Sequence, residues 1–155
     1  MGLTRDPELD LGVSYENVSF PNFVDHEFSR GPYNISAWHI AGTQTTGLVL
    51  VHGGGHDRRE HMRLVNFLTK EGYPLLMIDL SEHGISTGAR RGLNFGHRER
   101  FDVVGASIYA HQTLKWKRVV VLGTSVGAVS SILAATTTVP NAPLHGQVNT
   151  YIDGV

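Results

Sequence analysis

The chain contains no cysteine. That excludes a disulfide scaffold, a zinc ribbon and a thiol nucleophile. Charge is also scarce, at 17% of residues, and nearly balanced, with 13 basic against 14 acidic side chains. A net charge of -1 leaves no global electrostatic footprint for nucleic acid or an anionic membrane. The first ten residues, MGLTRDPELD, hold no apolar stretch of the kind a secretory signal needs, so a cytoplasmic setting is expected. Gly2 invites comparison with a myristoylation site, but Asp6 stands where that motif wants Ser or Thr. The sequons at Asn17 and Asn34 read as chance without a secretory signal. One uncharged run, Val119 to Pro140, is broken by Gly123, Gly127 and many hydroxyl residues, so no transmembrane segment is expected.

Glycine is plentiful instead: 18 of 155 residues, where about 7% is ordinary. The length suits one domain, and 41% apolar residues suit a packed core. Short β-rich runs alternate with helical stretches. Tyr15–Phe20 and Asn34–Ile40 alternate in polarity and predict a hairpin across a polar loop. GLVLV (47–51), PLLMIDL (74–80) and VVVL (119–122) are continuous apolar runs, as expected of strands buried on both faces. Asp57 with Glu60 has the spacing of a capping box, ahead of a helix carrying Leu64, Val65 and Leu68 and ending at Gly72. Arg98–Leu114 predicts a second helix, and Ser125–Ala135 a third with Val126, Val129 and Leu133 on one face. Strands alternating with helices predict an α/β fold with a mostly parallel sheet, opened by an antiparallel hairpin. Residues 140–151 read as loop, and 152–155 as the start of a further strand.

Three motifs follow three of these strands. Gly123-Thr124-Ser125-Val126-Gly127 is G-x-S-x-G between an apolar strand and a helix. A sharp turn there lifts the serine hydroxyl clear of the backbone, and small neighbours let the turn close. The new helix aims its free N–H groups at developing negative charge, the Val126 amide first. His52-Gly53-Gly54-Gly55 follows the GLVLV strand, and a glycine turn lets backbone amides approach a ligand closely. The Gly54 amide is the favoured second oxyanion donor, with Gly53 next. Asp79-Leu80-Ser81-Glu82-His83-Gly84-Ile85-Ser86 follows the PLLMIDL strand. No phosphate-binding glycine fingerprint is present. His52, His56 and His61 lack the helical spacing of a zinc site, so neither metal nor cofactor is expected. Arg90, Arg91, Arg98 and Arg100 read as a solvated loop cluster.

In this order the motifs resemble the α/β-hydrolase superfamily, nearest to its serine aminopeptidase and monoacylglycerol-lipase-like branch and similar to the depalmitoylating thioesterases. That branch commonly carries D-x-R-G-H-G-x-S as its middle motif; Ser81 and Glu82 replace the Arg-Gly pair here. The resemblance runs from Tyr15 to Val139 and covers the first half of the family's domain. It implies strand order 1-2-4-3-5, a serine nucleophile at Ser125, and an acyl substrate that is a small molecule, lipid or peptide. It also implies that the triad acid and histidine follow later strands. The chain is therefore expected to be one incomplete domain over 1–155, a truncated α/β-hydrolase fold of strands one to five plus the start of six. Its core motifs span 47–139. His56 is the candidate surrogate base within it. The alternative is a non-catalytic isoform or half-domain that binds a partner, helped by strand five as an exposed apolar edge prone to association.

Overall fold

The computed structural model describes residues 6–24 and 31–155. Gly2 and the middle of the loop between the first two strands lie outside the described residues. Five strands form one sheet: β1 (Glu16–Pro21), β2 (Asn34–Ile40), β3 (Thr46–Val51), β4 (Leu75–Ile78) and β5 (Arg118–Gly123). Their order is β1-β2-β4-β3-β5. β4, β3 and β5 run parallel, and β2 and β1 add antiparallel at one side, with Glu16 opposite His39 and Pro21 opposite Asn34. The hairpin, the parallel centre and the crossover order agree with the expectation.

The apolar runs are buried on both faces. Val49, Val51, Leu76 and Ile78 point to one side, where they pack with α3 (Arg100–Gln112) and α4 (Val126–Ala135). Leu50, Leu75 and Met77 point to the other, where Met62 and Val65 of α2 (Met62–Lys70) cover them with Trp38. Alternate side chains of one strand therefore feed two cores, and no position is left polar. A short N-terminal helix, α1 (Pro7–Leu11), is capped by Asp6, whose carboxylate accepts the Leu9 N–H at 2.8 Å.

Three local expectations change. The buried face of α4 is Val126, Gly127, Ser130, Ser131 and Ala134, while Val129 is exposed. This helix starts at a tight turn and lies close to the sheet, so small residues face inward. Ser130 and Ser131 satisfy their hydroxyls on the carbonyls of Val126 and Gly127, at 2.7 and 2.6 Å. Within 140–151, which the sequence presents as loop, Leu144–His145 (β6) and Val148–Asn149 (β7) form a small hairpin turning at Gly146, whose φ is 64°. Finally, β5 is not a bare edge. The segment after β7 runs beside it in parallel: Val121 N–H donates to Gly154 O, Asp153 N–H to Val119 O, and Val119 N–H to the Asp153 carboxylate, each at 2.8 Å. These residues lie along β5 through an isolated parallel bridge, Val120 opposite Gly154, and occupy backbone groups that an open edge would offer.

Candidate active site

Ser125 stands at the junction of β5 and α4. It has φ 53° and ψ −117°, a conformation that L residues rarely adopt. Close packing forces it. A Cβ on Gly123 would sit 2.4 Å from the Gly127 carbonyl, and one on Gly127 would sit 2.3 Å from Val51 O and 2.5 Å from His52 O. Only glycine at both places lets α4 leave β5 so abruptly and pass over the end of β3. The side chain of Ser125 is exposed, and its hydroxyl has no hydrogen-bond partner among the described residues. Gly127 N–H already donates to Thr124 O, whereas Val126 N–H has no acceptor among the described residues. Gly127→Ala is expected to cost about 2 to 3 kcal/mol, because backbone carbonyls cannot rotate away from the new methyl. Urea unfolding measures it; a loss under about 0.5 kcal/mol, the range of neutral surface changes, contradicts this packing.

The glycine loop after β3 lies alongside. The Cβ position of Gly53 is 3.4 Å from Ser125 Cβ, and that of Gly54 is 3.6 Å from Val126 Cγ2 and 2.8 Å from Leu93 Cδ2. His52 is fully buried and wired at both nitrogens. Its Nε2 accepts Leu80 N–H at 3.0 Å, so Nδ1 carries the proton and donates to Gly53 O at 2.7 Å. Burial holds its pKa below the ordinary value and so favours this neutral tautomer. Gly53 N–H donates to Glu60 Oε2 at 2.6 Å, while Gly54 N–H finds no acceptor among the described residues. The capping box expected of Asp57 and Glu60 is therefore not formed. Asp57 does cap the turn Arg58–His61, through Arg59 N–H at 2.9 Å, but Glu60 reaches to the glycine loop instead. His56 is exposed, and its side chain makes no hydrogen bond among the described residues, to Ser125 or to any other. His61 is buried elsewhere: Nε2 donates to Val51 O at 3.0 Å, the carbonyl that also receives Thr124 N–H. Among the described residues no acidic or histidine cluster could hold a metal.

The loop after β4 is braced by carboxylates that the sequence did not single out as a set, Asp79 buried and Glu82 exposed. Asp79 accepts Arg58 N–H at 2.8 Å, the Arg58 guanidinium at 2.6 Å and Ile85 N–H at 3.0 Å. Glu82, at one of the two positions departing from the family pattern, accepts the amides of Arg91 and Gly92 at 2.8 Å. Burial pushes its pKa up, but these amides and the nearby Arg98 outweigh that and leave it lowered. The clamp holds the segment whose Leu93 abuts Gly54. His83 accepts Gly55 N–H at 3.4 Å, and its ring lies 5.0 Å from that of His52, tilted by 53°.

Asp102 on α3 accepts Ser81 N–H at 2.8 Å and the Asn22 amide at 3.2 Å. Complete burial nevertheless pushes its carboxyl from 3.8 to about 6, with the Glu99 carboxylate adding a smaller push the same way. A raised folded-state pKa means that the fold binds more protons than the unfolded chain between pH 4 and 6. This group's contribution to stability therefore grows as pH falls through that window and is lost above it. The shift corresponds to on the order of 3 kcal/mol at most. Urea unfolding at pH 7.5 and pH 4.5 should show a smaller pH-dependent change in Asp102→Asn than in the native chain; equal changes would refute the assignment.

The family comparison falls on the same motifs. The model described as alpha/beta hydrolase fold matches residues 47–142, from β3 through the end of α4. The chain belongs to the α/β-hydrolase family. Among solved structures, the Pyrococcus furiosus esterase Pf2001 is 27% identical, with a TM-score of 0.73 over 86% of this chain and 51% of that one. An esterase from Exiguobacterium antarcticum is 23% identical, with a TM-score of 0.61 over 84% of this chain and 41% of that one. A putative hydrolase from Agrobacterium vitis shares the fold at 16% identity and a TM-score of 0.59. The chain thus spans about half the length of the solved structures it matches. No curated protein sequence matches it. No helix among the described residues is long and apolar enough to cross a membrane.

Proposed function

We propose that Ser125 is the nucleophile of a serine hydrolase acting on ester, thioester or amide bonds. The observation that carries this is the exposed Ser125 hydroxyl at the start of α4, flanked by two amides without acceptors, those of Val126 and Gly54. Ser125 Oγ attacks the substrate carbonyl as its proton passes to a base. The Val126 and Gly54 amides, with the positive end of α4, hold the oxyanion. Gly53 N–H, engaged by Glu60, supports the loop rather than the oxyanion. Collapse of the tetrahedral species returns the proton to the leaving group and leaves the acyl group on Ser125. Water then releases it by the same route.

No histidine is hydrogen-bonded to Ser125 among the described residues, so this reading needs a base brought to Ser125 from elsewhere. His56 would have to turn toward Ser125 to serve instead. The substrate is the acyl derivative of a small molecule, lipid or peptide; the name of the Pyrococcus protein favours esters. That no histidine is hydrogen-bonded to Ser125 among the described residues favours one second reading, a half-domain that binds rather than catalyses. Incubation of the 155-residue chain with a fluorophosphonate probe separates them. Labelling supports the nucleophile, and its survival in His56→Ala excludes His56 as base. No labelling of a chain shown to be folded by a cooperative melt means that no base reaches Ser125 in this chain, which as it stands then follows the binding reading.

A further inference from the structure

Glu60 has no part in the acyl-transfer steps, yet its carboxylate spans seven residues to reach the glycine loop. Gly53 N–H donates to Oε2 at 2.6 Å. Its other oxygen, Oε1, and Ser125 Cβ lie 3.7 and 3.4 Å from the same point, the Cβ position of Gly53. The carboxylate therefore sits against the wall of the loop that faces the nucleophile.

Three consecutive glycines need such a restraint, since each samples more backbone conformations than any other residue. Two peptide planes matter. The plane joining Gly53 and Gly54 carries Gly53 O and Gly54 N–H on opposite edges, because the peptide is planar and trans. His52 Nδ1–H and His56 N–H hold Gly53 O at 2.7 and 3.3 Å, so Gly54 N–H is turned the other way. Among the described residues, the preceding plane, which joins His52 and Gly53, is held through Gly53 N–H by Glu60 alone. With both planes pinned, the Gly53 dihedrals are set and the aim of the Gly54 amide with them.

We propose that Glu60 is a positioning residue: it fixes the His52–Gly53 peptide and thereby aims the Gly54 amide at the oxyanion formed on Ser125. This rests on the nucleophile reading above. The requirement is for an acceptor at that point rather than for a charge, so glutamine should substitute and alanine should not.

Two measurements on the full chain test it. In ¹⁵N-labelled protein the Gly53 amide proton should lie downfield, as for a short bond to a carboxylate. Glu60→Ala should move it upfield and speed solvent exchange at residues 53–55, with α2 resonances unchanged. Fluorophosphonate labelling should slow about tenfold or more in Glu60→Ala and stay within about threefold in Glu60→Gln, a fraction of the 10²–10³ lost when an oxyanion donor is removed outright. An unmoved Gly53 resonance overturns the clamp. A moved resonance with an unchanged labelling rate overturns its catalytic purpose. A native chain that is never labelled overturns that purpose through the nucleophile reading, while the Gly53 resonance still reports whether the bond exists.

Discussion

Ser125→Gly is expected to end fluorophosphonate labelling and, at the same time, to stabilise the fold by about 1 kcal/mol. The first effect follows from losing the exposed hydroxyl at the start of α4. The second follows from φ 53° and ψ −117°. An L residue held in such a region costs roughly 1 to 3 kcal/mol, and glycine adopts it without a Cβ clash, returning part of the gain as unfolded-chain entropy of about 0.5 to 1 kcal/mol. Ser125→Ala keeps the strain, so it should lose labelling while remaining within about 0.5 kcal/mol of the native chain. Gel fluorescence and urea unfolding of the three proteins read both effects. Labelling retained in Ser125→Ala would remove Ser125 from the chemistry. A glycine variant less stable than the alanine one would show that the turn is not strained. The expected opposition between stability and reactivity is what a strained nucleophile position entails.

Asp79→Ala is expected to cost about 3 to 5 kcal/mol, the range for removing one partner of a buried ion pair. Arg58 is 5% exposed and lies with its guanidinium carbon 5.2 Å over the Trp38 ring, so it cannot swing out to water without opening the cover of the sheet. Two backbone amides, of Arg58 and Ile85, would lose their acceptor as well. For a domain of this size the melting midpoint should fall by on the order of 10 °C. Pairing the change with Arg58→Met should recover only part, because the orphaned amides remain. A calorimetric midpoint within about 2 °C of native would mean that the pair is solvated rather than buried.

How well the sequence is read depends on the range of the interaction involved. The strands at 47–51, 74–80 and 119–122 were legible because a strand buried on both faces must be apolar throughout. The G-x-S-x-G turn was legible because the turn itself is local: Gly123 meets the Gly127 carbonyl four residues on, even though Gly127 meets Val51 and His52 across the fold. The Asp57–Glu60 pair shows the opposite case. Its local spacing matches a capping box, but the Gly53 amide, brought near by the loop after β3, takes the Glu60 carboxylate instead. The inward face of α4 was misread for a related reason. Periodicity favours its large side chains, whereas the short distance from helix to sheet admits only the small ones. The clamps made by Asp79, Glu82 and Asp102 join residues 6 to 80 positions apart, and no spacing rule announces them.

By itself, the sequence determined the alternation of strands and helices, the strand that each motif follows, and the serine that stands at the glycine turn. Each is a matter of periodicity or of a turn closed within about five residues. Only the tertiary structure decided which glycine amide is left free beside Ser125, which carboxylates brace the surrounding loops, and that the last residues lie along β5. Those outcomes depend on which backbone and side-chain groups meet across the sheet. A buried donor or acceptor binds whatever partner the fold brings within 3 Å, not the one its neighbours in sequence suggest.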